Sequence, residues 1–404
     1  MPLMRIPYTA PLPAATIIPS TANTTAGAIA ALQTFLSAPP PTSLQPSPVP
    51  QNGKTVLLTG AGISVASGLA DYRGRNGTYM VNKTYRPIYF HEFCASHEAR
   101  KRYWARSFLG WTNLNGARPN GAHEAVGRLG EMGLVGSVIT QNVDSFHLTA
   151  HPSLRTLELH GYLRATVCLS CRREHSRATF QSRLAALNPA WSAFLDSMLA
   201  SGALTTEHPA ERRRRGLKTN PDGDVDIPGL EYGSFRYPAC PSCLADPPLD
   251  AQGKKRPVHV DADGAWSKDS GGAGAGAGVL KPAVIMFGES IPTPVKAAAE
   301  RAIDEAARVL VLGSSLATYS AWRLVRRARE RGMPVGIVNL GGVRGEEGFF
   351  GNGGEGERDG GSGEEGVRCE EVLETVLPGV VEALQGRVVG GTEHARRFRP
   401  ASWA

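Results

Sequence analysis

The stretch Thr55-Val56-Leu57-Leu58-Thr59-Gly60-Ala61-Gly62-Ile63-Ser64 decides the fold. Three aliphatic residues between two threonines form a short run without polar alternation, the pattern of a strand buried on both faces of a parallel sheet. Gly60 and Gly62 follow at once. A Gly-x-Gly turn after a strand lets the backbone approach a pyrophosphate, and the helix start behind it offers N–H groups and a positive dipole end. The full G-x-G-x-x-G spacing is absent, because position 65 is Val and the next glycine is Gly68. A purely structural tight turn accounts for the pair as well.

Working outward, three further runs read as buried parallel strands: Val138–Thr140, Val309–Leu312 and Val335–Asn339. A fifth, Ala283–Phe287, is expected as an extended strand beside the active site. Helices are expected over Ala122–Met132, Pro294–Ala307 and Ser320–Arg331. Strand and helix in alternation predict an α/β fold, a doubly wound, Rossmann-like parallel sheet. Between Cys168 and Lys281 the pattern changes. That interval carries two C-x-x-C pairs, the basic run Arg212–Arg215 and the glycine-rich Gly271–Gly278. It reads as an inserted zinc-binding module with flexible loops. The expected organisation is a poorly ordered segment and linker over 1–50, the first part of the Rossmann-like domain over 51–165, and the zinc module over 166–280. The second part of the large domain follows over 281–385, with a tail over 386–404. Within the first segment, Thr25 is expected to cap a short helix with Ile29, Leu32 and Leu36 on one face. Pro39–Pro50 reads as a proline-rich linker, and the Gly- and Glu-rich residues 345–366 as an exposed loop.

Length and composition agree with two domains plus loops: 404 residues, 41% hydrophobic, 47 Gly and 29 Pro. The charge balance, 44 − 37 = +7, favours anionic partners without naming one. No stretch approaches 18 consecutive apolar residues, so no membrane-spanning helix is expected. Six cysteines are present. A chain this long needs no disulfide staples, so the C-x-x-C pairs Cys168/Cys171 and Cys240/Cys243 read as four thiolate ligands of one closed, structural zinc site. Cys94 and Cys369 stand alone and read as small buried side chains.

Several polar clusters fall at expected strand ends, where doubly wound sheets bind ligands. Asp71-Tyr72-Arg73 places an acid, an aromatic ring and a cation just past the glycine turn; Arg73 suits a phosphate or a surface ion pair. Thr140-Gln141-Asn142-Val143-Asp144 suits ribose hydroxyls or an amide, or equally a capped turn. His160, in Leu157-Glu158-Leu159-His160-Gly161, is a candidate proton acceptor near neutral pH, although a lone histidine is more often structural. Gly313-Ser314-Ser315 and Asn339-Leu340-Gly341 each follow an expected strand and can close over a dinucleotide.

Taken together, GAGIS-VASGLADYR, TQNVD, LELHG, the two C-x-x-C pairs, the FGE of Phe287–Glu289, GSS and NLG resemble the sirtuin family, across roughly Val56 to Pro378 with gaps. Tyr72 and the segment around Tyr103 and Trp104 resemble its class II branch. The resemblance implies an NAD-dependent protein-lysine deacylase that releases nicotinamide and O-acyl-ADP-ribose. It implies cofactor contacts at Gly60, Ala61, Gly62, Ile63, Ser64, Asp71, Tyr72, Arg73, Gln141, Asn142, Val143, Asp144, Gly313, Ser314, Ser315, Asn339, Leu340, Gly341 and Cys369. His160 becomes the general base, with Asn142 beside it in the catalytic set, and Phe287, Gly288 and Glu289 line the substrate. Acylated proteins are the implied partners. Phe146, where the family pattern has Leu, is an apolar swap.

Tyr103 and Arg106 stand three apart on an expected helix, Glu98–Phe108, and share a face. They resemble a Tyr-x-x-Arg pair that holds acidic acyl groups in one sirtuin branch; the alternative is a packed Tyr103 and a solvated Arg106. Residues 1–70 contain no Asp or Glu, which with the class II resemblance points to the mitochondrial matrix, although Arg5 is the only arginine there. Two other functions stay open. One is a protein mono-ADP-ribosyltransferase using the same site. The other is a non-catalytic zinc protein binding nucleic acid through Arg212–Arg215 and the Arg323–Arg331 helix, against which the lack of interleaved aromatics counts.

Overall fold

Residues Thr55–Thr59 form a strand (β1) with every side chain buried. This computed structural model describes residues 12–42, 44, 46–74, 76–81, 85–202, 218–219, 224–227, 229–268, 276–350 and 363–389. The run Arg212–Arg215 and residues 351–362 lie outside the described residues, as do most of Gly271–Gly278 and all but the start of the tail.

The first described helix is Thr25–Ser37 (α1). Its cap is Thr24, whose side chain accepts from the Gly27 N–H, one residue before the cap expected from the sequence. After β1 come Thr78–Val81 (α2), Phe90–Ala95 (α3), His97–Gly116 (α4), Gly121–Glu131 (α5), Val135–Thr140 (β2), Phe146–Ala150 (α6) and Thr156–Glu158 (β3). The smaller module follows: Gly161–Cys168 (β4), Glu174–Ser176 (β5), Arg177–Leu187 (α7), Pro189–Ala200 (α8), Lys218–Thr219 (β6), Val225–Asp226 (β7), Pro241–Ala245 (α9) and Leu280–Val284 (β8). The chain then returns to the large sheet through Thr293–Glu305 (α10), Arg308–Leu312 (β9), Tyr319–Glu330 (α11), Val335–Val338 (β10), Gly366–Cys369 (β11) and Leu373–Val389 (α12).

The large sheet has six strands in the order β11-β10-β9-β1-β2-β3, and every pairing is parallel. From β1 the chain moves outward to β2 and β3, then returns to the other side of β1 as β9. The strand order therefore reverses between β1 and β9, and the crevice beyond their C-terminal ends is where such sheets take ligands. Alternate residues of each strand face opposite layers. Val56, Leu58, Val309, Val311 and Ile337 pack with α10 and α11 through Ala302, Ile303, Leu324 and Val325. Leu57, Val138, Leu310 and Val338 pack with α1, α5 and α12 through Leu32, Phe35, Val126, Leu129, Leu377 and Val380.

Three expectations change. The segment 1–50 is not poorly ordered as a whole. Leu32 and Phe35 of α1 are fully buried, and Ile18 bridges to Arg368 of β11. Burying that apolar face supplies the order that composition alone did not reveal. The strand expected over Ala283–Phe287 lies at Leu280–Val284 and pairs antiparallel with β4 in the small sheet β5-β4-β8. The Gly- and Glu-rich stretch is not simply an exposed loop, because Glu346 is buried against Arg368. On α11 and at its C-terminal end, Arg323, Arg326, Arg327 and Arg331 pair with Glu300, Glu330 and Asp304. Among the described residues, no helix is long and apolar enough to cross a membrane.

Candidate active site

The two glycine turns meet at the switch point. The turn after β1 enters a 3-10 helix, Ala61–Ser67. The Gly62 N–H donates to the Gly313 carbonyl at 2.9 Å. A Cβ on Gly62 would lie 2.8 Å from Gly313 Cα, and Gly313 itself has φ of 60°. Glycine is required here because two backbones touch, and the left-handed φ adds to that requirement. Asn120 staples the turn from outside. Its Nδ2 donates to the Ile63 carbonyl at 2.8 Å and to Ser67 Oγ at 3.0 Å, while its Oδ1 accepts the Ala122 N–H and caps α5.

The end of β2 reaches both turns. Asn142 Nδ2 donates to the Gly60 carbonyl and to Ser64 Oγ, each at 3.1 Å. Ser64 Oγ donates to Asp144 Oδ2 at 2.7 Å, and Asp144 Oδ1 accepts the Phe146 N–H at 3.0 Å. Burial pushes the Asp144 carboxyl above its ordinary value, against those two donors. Gln141 bridges to the other side: its Nε2 donates to Ser314 Oγ at 2.7 Å, and its Oε1 accepts from Thr318 Oγ1 at 3.0 Å. Asp71 accepts the Gly74 N–H at 3.1 Å, and burial raises its carboxyl as well. Tyr72 stacks on Tyr79 at 5.4 Å, and the Arg73 guanidinium lies over the same Tyr79 ring.

His160 joins this group. Its Nδ1 lies 3.2 Å from the Gln141 carbonyl and its Nε2 2.8 Å from Ser320 Oγ. A carbonyl only accepts, so in the neutral ring Nδ1 carries the hydrogen and Nε2 holds the lone pair. Desolvation lowers its pKa to about 4, against the Gln141 carbonyl, so the ring is neutral at pH 7. Ser320 and Thr318, beside the start of α11, were not legible as site residues. No motif marks them, and only the return of the chain from β9 brings them to His160.

The substrate-side residues divide. Phe287 packs edge-on to Tyr89, and its carbonyl accepts the Phe90 N–H at 2.9 Å. The Glu289 carboxylate turns inward, accepting the Met286 N–H at 2.9 Å and pairing with buried Lys281 at 3.2 Å. The Ile285 N–H donates to the His160 carbonyl at 2.7 Å, which ties the end of β8 to the His160 backbone. Tyr103 packs edge-on against Phe93 and Trp104. Arg106 is not a solvated face residue. It is buried, 2.7 Å from Asp224 and over the Tyr85 ring. The Cys369 thiol is fully buried and pushed up to about 12, so only its backbone borders the Asn339–Gly341 turn, its carbonyl accepting the Asn339 N–H at 3.2 Å.

The four cysteines converge. Cys168 Sγ lies 3.5 Å from Cys243 Sγ, Cys171 Sγ lies 3.8 Å from Cys240 Sγ, and all four sulfurs fall within 4.8 Å of one another. Four thiolates at about 2.3 Å from a tetrahedral zinc stand about 3.8 Å apart, so the set fits that ion. All four are free thiols, and they are positioned to hold a zinc. His175 Nε2 lies 3.3 Å from Cys240 Sγ, an outer-shell contact that spacing alone did not reveal.

Behind the crevice is a histidine chain missed from the sequence. Thr59 Oγ1 lies 2.9 Å from His147 Nε2, and His147 Nδ1 lies 2.9 Å from His151 Nε2. The His123 ring is centred 5.0 Å from that of His147. Burial lowers all three, His123 to about 3. Each is held below its unfolded value near 6.5, so the stability it supports is complete above that pH and lost as pH falls through and below it. Each such histidine steepens the loss by up to about 1.4 kcal/mol per pH unit. The melting temperature is expected to drop steadily from pH 7 to pH 5, and His151→Gln to flatten that slope. A melting temperature constant over this range would remove the histidines from the account.

Comparison with known proteins places this architecture. The Sir2 family model matches residues 60–320. The chain is 38% identical over 303 residues to a protein of Batrachochytrium dendrobatidis named NAD-dependent protein deacylase SIR4, covering 73% of this chain and 84% of that one. It is 35% identical over 290 residues to NAD-dependent protein deacylase Sirt4 of Drosophila melanogaster, covering 72% and 75%. A solved structure described as a Sir2 homolog–NAD complex superposes with a TM-score of 0.51 at 20% identity, covering 88% of this chain and 94% of that one, and supports the shared fold. A match across most of the chain, with the glycine turns, the β2 end and His160 gathered at one switch point, makes this chain a member of the Sir2 family, the sirtuins.

Proposed function

We propose that this protein is a class II NAD-dependent protein-lysine deacylase, with His160 as the general base. The observation that carries the reading is the tautomer. The Gln141 carbonyl holds the hydrogen on Nδ1, leaving Nε2 as a base, 2.8 Å from a hydroxyl it already accepts from. The Ser320 hydroxyl donates to Nε2 as a reacting hydroxyl would have to. Curated relatives named NAD-dependent protein deacylases support the reaction class. When bound, NAD would supply an electrophilic ribose carbon with nicotinamide as the leaving group, and the overall exchange consumes one water as lysine is freed and the acyl group is carried off as O-acyl-ADP-ribose.

In this reading the protein binds, orients and moves one proton. The glycine turns pack backbone against backbone with no side chain between them, the close approach that a pyrophosphate needs. Asn142, Ser64 and Asp144 form one hydrogen-bonded set that fixes the β2 end, and Gln141 couples that end to Ser314 and Thr318. His160 Nε2 takes a proton from a sugar hydroxyl, a group too weakly acidic to react unaided. A pyridinium leaving group needs no comparable acid. A panel of acyl-lysine peptides, incubated with and without NAD and read by mass, tests the proposal. Acyl loss is expected only with NAD, and NAD-independent loss or no loss across the panel counts against it.

Arg106 and Tyr103 bear on acyl choice. Because Asp224 already supplies a carboxylate to Arg106, an acidic acyl group would have to displace it. We read the pair as bracing the module. Arg106→Met strands a largely buried carboxylate, which typically costs about 3 kcal/mol or more. The expected result is a lower melting temperature and equal losses on acetyl- and glutaryl-lysine peptides. A selective loss on the glutaryl peptide would return Arg106 to the substrate site. For location we propose the mitochondrial matrix, on the acid-free residues 1–70. Import of a fluorescent fusion of residues 1–50 is the check, and a cytosolic fusion would remove that support.

A further inference from the structure

Arg368, in the middle of β11, is with Arg177 one of two charged groups fully buried among the described residues. It is fully buried, yet four hydrogen bonds satisfy it. Its Nε donates to Glu346 Oε1 at 2.7 Å, Nη1 to the Asn339 carbonyl at 3.0 Å and the Cys369 carbonyl at 2.7 Å, and Nη2 to the Gly341 carbonyl at 2.7 Å. Two of the four acceptors belong to the turn that follows β10. We propose that Arg368 is a positioning residue that shapes the Asn339–Gly341 turn for a bound dinucleotide; this rests on the NAD reading given above.

The surroundings support a clamp and not a chance contact. Glu346 is not left as a bare counter-ion, because its second oxygen accepts the Val343 N–H at 3.1 Å. The Gly341 N–H is taken by Glu370 Oε1 at 2.8 Å, from the residue two beyond Arg368. The next residues return to the other cofactor turn: the Arg344 N–H donates to the Ser315 carbonyl at 2.9 Å. Outside β11, Ile18 exchanges both backbone hydrogen bonds with Arg368, at 2.9 and 2.7 Å. Farther along, Pro13 seals the turn so closely that a Cβ on Gly342 would lie 1.8 Å from its carbonyl oxygen. The guanidinium fork is suited to this task because its N–H groups point in fixed directions within one plane. Two carbonyls of one turn, held by two nitrogens of one rigid group, leave that turn little freedom. A turn already in its binding shape loses less entropy when a ligand arrives.

The test uses the full chain with NAD as the probe. For Arg368→Met, the KM and calorimetric Kd for NAD are expected to rise on the order of tenfold, the scale of one lost charge-assisted hydrogen bond. The KM for the acyl-peptide and kcat at saturating NAD are expected to hold. Arg368→Lys keeps the charge without the fork and should fall between wild type and Arg368→Met. Glu346→Gln should shift NAD affinity in the same direction by less. Should Arg368→Met not fold, Arg368→Lys and Glu346→Gln decide the matter. Unchanged NAD affinity in the folded variants overturns the positioning role while leaving the deacylase reading intact. A fall in kcat with both KM values unchanged also overturns it, since that is what a purely structural arginine would produce. A wild-type protein that fails to bind NAD removes the deacylase reading and this inference together.

Discussion

His160→Ala is expected to slow acyl removal by about two to four powers of ten while the fold and NAD affinity stay near wild type. The histidine bonds to one backbone carbonyl and one serine hydroxyl, so its loss leaves no buried charge behind. The apolar clusters that hold the sheet do not include it. What disappears is the lone pair at Nε2. Turnover of an acyl-lysine peptide, NAD binding by calorimetry and the melting temperature, measured on one preparation, separate these effects. Near-normal turnover in the folded variant would remove His160 as the base. The pH profile gives a second check. Burial lowers the imidazole to about 4, so the base stays neutral well below pH 6. The acid limb of kcat/KM is therefore expected below the ordinary histidine range near 6.5, within the range where the protein remains folded.

Much of this arrangement was legible because it rests on local pattern. The β1 run predicts its strand to the residue, since five consecutive buried positions admit no polar side chain larger than threonine. Strands β9 and β10 are read from the same signal. The C-x-x-C pairs identify the zinc ligands because thiolate geometry fixes the spacing within each pair. Strand β3 escaped because three residues show no period, and β11 because Gly366 and Arg368 break up its apolar run. In β11 the sequence also misleads: Arg368 looks like an exposed residue. It is buried because carbonyls from a turn some thirty residues earlier in the chain surround it. Arg106 is a parallel case. Helical spacing correctly puts it on one face with Tyr103, but its partner, Asp224, comes from the insert between the cysteine pairs. Contacts of that kind follow from chain return, which single-sequence periodicity does not encode. The same holds for Ser320 beside His160.

Losing the metal site is expected to have the largest effect of all, because the zinc ligands are built into the small module's core. Cys168, Cys240 and Cys243 belong to one apolar cluster with Phe235, Tyr237, Trp266, Leu280 and Val284. Cys168 ends β4, whose first residue, Gly161, directly follows His160. On the other side β8 pairs with β4, and the Ile285 N–H beyond it reaches the His160 carbonyl. A structural zinc of this type contributes about 10–16 kcal/mol of apparent binding free energy, comparable to or larger than the whole stability of a typical domain, about 5–15 kcal/mol. Cys168→Ser or Cys243→Ser should therefore release the metal, unfold the module and abolish deacylation, although neither thiol lies among the proposed NAD contacts. Metal analysis of the wild type should return one zinc per chain, and strong chelation should lower the melting temperature before activity can be regained by adding zinc back. His175→Ala is expected to retain the fold but lose zinc to a chelator more readily, by roughly 10- to 100-fold in affinity, as removal of an outer-shell partner does. Freshly purified, fully active protein that contains no zinc would overturn this account, because the four sulfurs would then be holding the module together by packing alone.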